Sequence, residues 1–167
     1  MPATSDDIFA RLNDLGIDYE THEHVPVFTV EEAREHCGHL PGCHSKNLFV
    51  KDKKGVLWLI VARDDAPIRL SQLEKEIGAK RLSFGKPDLL MEVMGVVPGA
   101  VTPFGLINDT EVRVNVILDE KLMAADIVNF HPLSNDRTTA LAPADLLRCI
   151  ESFGHQPRVM DVDAVME

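Results

Sequence analysis

Cysteine is scarce: Cys37, Cys43 and Cys149 are the only three, an odd number and too few for a disulfide framework. No secretory leader opens the chain, and no apolar run approaches the ~20 residues needed to span a bilayer. These absences point to a soluble, cytoplasmic protein with reduced thiols and no membrane partner. Basic residues are also in deficit. Seventeen Lys and Arg face 27 Asp and Glu, a formal net charge of −10. That balance argues against a DNA-binding protein, whose surface is usually basic. There is no Gly-x-Gly-x-x-Gly, no phosphate loop of the Walker type and no Gly-x-Ser-x-Gly elbow. No serine or cysteine nucleophile stands beside an obvious base, and no carboxylate pair stands out. Repeats, low-complexity tracts and linkers are absent as well. Residues 1–167 therefore read as a single domain, large enough to bury a real core.

What is present is unevenly placed. Residues 44–86 hold ten Lys or Arg against five Asp or Glu, a local net of +5, which leaves −15 for the rest. A basic face on an acidic protein suits a small polyanion or one end of a nucleic acid. The plainer reading has Lys51, Lys53 and Lys54 solvating a hairpin turn. Residues 95–106 carry three of the ten glycines and two of the ten prolines, with no charge. Proline fixes φ and biases the residue before it away from helix, so this run turns sharply and is not helical throughout. An apolar loop with so much bare backbone either lines a ligand site or packs as a crossover under a sheet.

Local patterns place the elements. Thr4 or Ser5 caps a helix that buries Ile8, Leu12 and Leu15 and ends at Gly16. A strand follows over residues 17–24. Thr29 has capping-box spacing and starts a short helix ending at Gly38. Residues 45–51 and 56–62 are two strands around a Lys- and Gly-rich turn, with Trp58 in the core. Ser71 caps a helix closed by Gly78, a short strand spans 81–84, and Pro87 opens a helix that ends at Gly95. Strands over 111–118, 126–131 and 138–141 precede a last helix from Pro143 to Gly154, and residues 159–162 add an edge strand. The class is α+β: a mixed sheet or barrel of six or seven strands with helices around it.

Few residues suggest chemistry by themselves. His36, Cys37, His39, Cys43 and His44 are zinc-ligand types, but they lack Cys-x-x-Cys pairing and the spacing of common fingers. No metal and no cofactor is expected, and the role of this cluster is left open. Lys46, beside Asn47 at the start of an apolar strand, offers one cation and one amide to a ligand. The plainer reading is a solvated lysine. His131, before Pro132, is either a site residue or a structural hydrogen bonder.

Taken in order, three pieces resemble the YbaK/prolyl-tRNA synthetase-associated editing domains. They are Lys46-Asn47-Leu48-Phe49, the Gly95-x-x-Pro98-Gly99 loop running into Thr102-Pro103-Phe104-Gly105-Leu106, and Phe130-His131-Pro132. Each motif is weakly specific, and the ordered set covers nearly the whole chain. The tail, with Asn135, Thr138, Thr139 and Gly154-His155-Gln156-Pro157, is most similar to the free-standing alanyl-tRNA(Pro) deacylases of that family. The resemblance implies hydrolysis of an aminoacyl ester on the acceptor end of tRNA(Pro) carrying alanine, with prolyl-tRNA synthetase as a further partner. It implies that Lys46 binds the terminal phosphate or the aminoacyl end. Asn47 and His131 border the amino-acid pocket, Val27, Phe28 and Thr29 form another wall, and Gly95 and Pro98 shape the loop. Amides around Gly99 and Ala100 would meet the oxyanion. Two alternatives stand beside it: editing of another amino acid such as cysteine, and a non-catalytic module that binds aminoacyl-tRNA or a synthetase. The oligomeric state is not legible.

Overall fold

A run as apolar as residues 57–62 makes a strand buried on both faces. In the computed structural model, which describes residues 2–27, 29, 31, 32, 35, 42–66 and 68–162, this strand is β3, numbered after two earlier ones. The strands are β1 (Tyr19–Glu23), β2 (Cys43–Lys51), β3 (Leu57–Arg63), β4 (Ser83–Phe84), β5 (Val114–Asp119), β6 (Val128–Phe130), β7 (Arg137–Leu141) and β8 (Arg158–Met160). They form one mixed sheet in the order β1-β7-β6-β2-β3-β5-β8, with β4 paired to β2 off this path. The expected α+β class holds. The sheet has eight strands because both short edge segments, β4 and β8, find partners.

The β2–β3 hairpin is closed chemically. Asp52 is buried, and one carboxylate oxygen accepts the amides of Lys54 and Val56 at 2.9 Å. Gly55 takes a φ of +86°, which a side chain would resist. The pairing β2–β3 is antiparallel, whereas β2–β6, β3–β5 and β5–β8 are parallel.

Helices cover both faces. α1 (Ser5–Asp14) is capped by Thr4, one of the two expected residues, in a capping box with Asp7, and buries Ile8 and Leu12. α2 (Leu70–Ile77) ends on left-handed Gly78. α3 (Pro87–Met94) begins with proline and ends on left-handed Gly95. α4 (Glu120–Met123) is a single turn, and α5 (Pro143–Ser152) buries Leu146, Cys149 and Ile150. One core holds Ile8, Phe49, Leu59, Val61, Phe104 and Leu146. The other packs Val50, Trp58 and Ile60 against Leu73 of α2. The apolar run after α3 folds into two 3-10 turns, Pro98–Ala100 and Pro103–Asn108. Each starts on proline, where a missing N–H costs nothing. Phe104 meets Phe130 edge-on at 6.3 Å. The crossover reading therefore fits the second half of the loop, which is buried under the sheet, whereas Val97 and Pro98 are exposed.

Candidate functional site

The sheet leaves a gap beside β2. On one edge β2 pairs with β3 from Ser45 to Lys51. On its other edge it meets β6 only at Cys43 and His44, and β4 only at Val50 and Lys51. Among the described residues no strand pairs with residues 45–49 on that edge, although the Gly85 amide reaches the Phe49 carbonyl at 2.9 Å. Among the described residues, strand backbone bordered in this way is open to a group that approaches from the side.

Lys46 and Asn47 stand in this gap, on opposite faces, as successive strand residues must. Asn47 lies opposite Val61 and shares the face of Phe49 and the larger core. Its Nδ2 donates to Ser45 Oγ at 3.4 Å, and Ser45 Oγ donates to the Asn129 carbonyl at 3.1 Å. Its Oδ1 is buried and has no hydrogen-bond partner among the described residues. Lys46 lies opposite Ala62 on the other face, and its ammonium donates to the carbonyl of buried Ala66. That carbonyl is set by the turn after β3. The Ala66 amide bonds the Arg63 carbonyl at 3.0 Å, and Arg63 is tied to fully buried Asp119 by its amide at 3.2 Å and Nε at 3.1 Å.

His131 follows β6. Cys43 pairs with Val128 and His44 with Asn129, so the parallel register carried forward brings His131 level with Lys46. The Arg137 carbonyl accepts from His131 Nδ1 at 2.8 Å, which puts the proton on Nδ1 and leaves the Nε2 lone pair to act as acceptor. Burial pushes the imidazole below its ordinary pKa of 6.5. The Arg137 hydrogen bond works against that shift and nearby His24 adds to it. Such a group binds fewer protons in the folded than in the unfolded chain. Its contribution to stability is therefore complete above pH 6.5 and lost as pH falls through the lowered value. Between pH 7 and 5 the melting temperature of the wild type should fall more steeply than that of His131→Gln. Parallel curves would show that His131 is not held neutral.

His24 is a neighbour the sequence did not single out. Its ring lies 6.0 Å from that of His131. The Val25 carbonyl accepts from His24 Nδ1 at 2.7 Å, so Nε2 accepts the Thr138 hydroxyl at 2.8 Å. The His24 amide reaches the Asp136 carbonyl at 2.9 Å. Val27, fully buried, is strapped to the same segment: its amide donates to the Asn135 carbonyl, and Asn135 Nδ2 donates to its carbonyl, both at 3.0 Å. The available signal was the pairing of β1 with β7, which sets His22 opposite Thr138, but those residues lie far apart in the chain.

The remaining expectations divide. Phe28 lies outside the described residues, as do Val30, Ala33, Arg34 and residues 36–41 with His36, Cys37 and His39. Thr29 caps as expected, its hydroxyl accepting the Glu32 amide at 3.1 Å. Cys43 and His44 are successive strand residues and point to opposite faces. Among the described residues no three metal-ligating side chains converge. Ala100 is a correction: its amide is taken up inside the 3-10 turn by the Val97 carbonyl at 2.9 Å and is not offered to an oxyanion. Gly95 has a structural task. Its φ is +68°, and a Cβ there would come within 2.6 Å of Asn108 Nδ2 and 2.9 Å of Pro2 Cβ. Asn108 in turn bonds the Met94 carbonyl and the Ala3 amide, both at 2.8 Å.

A family model for the aminoacyl-tRNA editing domain matches residues 24–149. The chain belongs to that family. Among similar proteins, the Danio rerio "Prolyl-tRNA synthetase associated domain-containing protein 1" is 40% identical over 154 residues, covering 91% of this chain and 84% of its own. The "Prolyl-tRNA editing protein ProX" of Acetoanaerobium sticklandii is 35% identical over 156 residues, with 93% and 95% covered. The "Multifunctional Ser/Thr-tRNA deacylase ProXp-y" of Escherichia coli is 30% identical over 146 residues, 84% of each chain. A solved structure of a candidate trans-editing enzyme for prolyl-tRNA synthetase superposes with a TM-score of 0.72 over 96% of this chain and 97% of that one. At 22% identity, that likeness speaks for the fold alone. No helix among the described residues is long and apolar enough to cross a membrane.

Proposed function

We propose that this chain is a trans-acting hydrolase that removes mischarged alanine from tRNA(Pro). The observation that carries the reading is Asn47 Oδ1, a buried acceptor without a partner among the described residues, beside the gap in the sheet. A buried polar atom left unpaired is costly, so such an atom marks a place where a ligand completes the hydrogen bonding. The α-ammonium of an aminoacyl ester offers N–H donors and no acceptor, which matches it. Family membership and the names of the editing relatives support the coarser part of that reading, hydrolysis of a mischarged aminoacyl-tRNA.

In this reading water adds to the ester carbonyl carbon, and the carbonyl electron pair moves onto oxygen. The oxyanion is met by backbone N–H at Gly99, next to the Pro98 corner. Collapse breaks the bond to the ribose oxygen, which takes up a proton, and alanine leaves as its acid. The ribose 2′-hydroxyl assists the water, so no protein nucleophile, metal or cofactor is invoked. Lys46 holds the terminal phosphate, and His131 Nε2 accepts from ribose or water. Val27, Val97 and Ala100 size the pocket for a methyl group, with Thr29 at its rim. Prolyl-tRNA synthetase is the partner that releases the mischarged substrate, in the cytoplasm.

The test is turnover of a panel of aminoacyl-tRNA(Pro) by the pure protein. Alanyl ester should be cleaved fast and prolyl ester spared, because a ring clashes with a filled rigid pocket. Glycyl ester, short of one methyl, should react about 5-fold more slowly. Fast prolyl cleavage would reject size exclusion. Preferred cleavage of cysteinyl, seryl or threonyl ester would move the assignment to that amino acid. Binding without turnover of any ester would make the chain a binding module.

A further inference from the structure

We propose that the far end of the same gap, around Phe84, seats a base of the single-stranded 3′ tail of the RNA, with the neighbouring lysines on its phosphates. The proposal rests on the aminoacyl-tRNA reading for the identity of the RNA. β4 closes the gap at the end opposite β6, with Phe84 in register with Val50 and Ser83 with Lys51. Phe84 is 62% exposed, the most exposed of the large apolar side chains among the described residues. The Gly85 amide holds this strand end to the Phe49 carbonyl at 2.9 Å. A Cβ at Gly85 would come within 2.4 Å of the Phe49 ring, so the backbone there sits tight on the sheet. The aromatic is therefore fixed at its base and presented to solvent.

Its surroundings are basic. Lys53 donates its amide to the Lys80 carbonyl at 2.7 Å, which joins the β2–β3 turn to the segment leading into β4. The backbone positions of Lys51, Lys53, Lys54, Lys80, Arg81 and Lys86 are thus at the same end of the sheet as Phe84. Of the carboxylates there, Asp52 is buried and occupied by the turn amides, and Glu74 is taken up by the Leu82 amide at 2.9 Å. On a chain of net charge −10, an aromatic set among cations is the pattern that binds single-stranded nucleic acid: rings take bases and cations take phosphates. Phe84, opposite Val50, shares the face of Lys46, and from Lys46 to Val50 is about 13 Å of strand, roughly the reach of two nucleotides. A tail whose terminal phosphate lies on Lys46 would pass Phe84 before any duplex begins.

The experiment measures affinity for uncharged RNA, so hydrolysis is not required. One probe is a hairpin RNA with a short single-stranded 3′ tail, and the other is the same hairpin with a blunt end. Phe84→Ala should weaken the tailed hairpin about 10-fold and leave the blunt one unchanged, while Phe84→Trp restores binding. Lys53→Glu with Lys80→Glu should weaken both and flatten the dependence on salt. Melting curves of all variants should overlay that of the wild type, since these side chains are exposed. Equal loss on both hairpins, or no loss on either, would overturn the stacking proposal. A protein that binds the tail through Phe84 yet cleaves no aminoacyl ester would keep this inference and lose the enzymatic reading. Normal cleavage with no effect of Phe84→Ala would do the reverse.

Discussion

Lys46→Ala is expected to lower turnover of alanyl-tRNA(Pro) by about 100-fold or more, because a charged contact inside a partly desolvated site is worth several kcal/mol. The ammonium is not sweeping through solvent. The Ala66 carbonyl holds it, and that carbonyl is set by a turn anchored through Arg63 to a fully buried carboxylate. In the proposed reading, a cation fixed in this way would meet a phosphate without reorganising first. The same hydrogen bond gives the variant a structural cost of about 1 kcal/mol, a loss of about 2–4 °C in melting temperature. The variant should therefore be folded at assay temperature and nearly inactive. Lys46→Arg keeps the charge but not the compact head and should recover only part of the activity. Near-normal turnover in folded Lys46→Ala would remove this residue from the site.

Asn47→Leu should move activity and stability in opposite directions. Among the described residues, Asn47 Oδ1 is buried without a partner and its Nδ2 makes a long bond to Ser45. An apolar side chain of similar size on that face, beside Phe49 and Val61, removes the unsatisfied acceptor. It should raise stability by about 1 kcal/mol, or about 2–4 °C in melting temperature. Loss of the acceptor for the substrate's N–H groups should cost about 100-fold in kcat/KM. A residue that served only the fold would lose both together or neither. A lowered melting temperature with activity kept would show that Asn47 is a packing element.

Much of this protein is legible from local chemistry. The β2–β3 hairpin follows from two apolar runs around a turn built by Asp52 and Gly55. The limits of α3 follow from Pro87 and Gly95, and the α1 capping box from Thr4 and Asp7. The alternation that separates Lys46 from Asn47 is also in the sequence, since any strand puts neighbours on opposite faces. The ordered motifs were enough to suggest the family that residues 24–149 match.

Other features depended on which segments meet. The gap beside β2 exists because β6 and β4 take the two ends of one edge, and strand pairing between distant segments is decided by shared burial rather than propensity. The Ala100 amide was legible as bare backbone, but whether it faced a ligand or closed a turn depended on the path between Pro98 and Thr102. Gly95 meets Asn108 and Pro2, and His24 meets Thr138, all beyond the reach of local pattern. The sequence determined the elements and the chemical types available, because those depend on residues three or four apart. The tertiary structure decided which donors and acceptors remain available, because a hydrogen bond is settled only when both partners have been brought together.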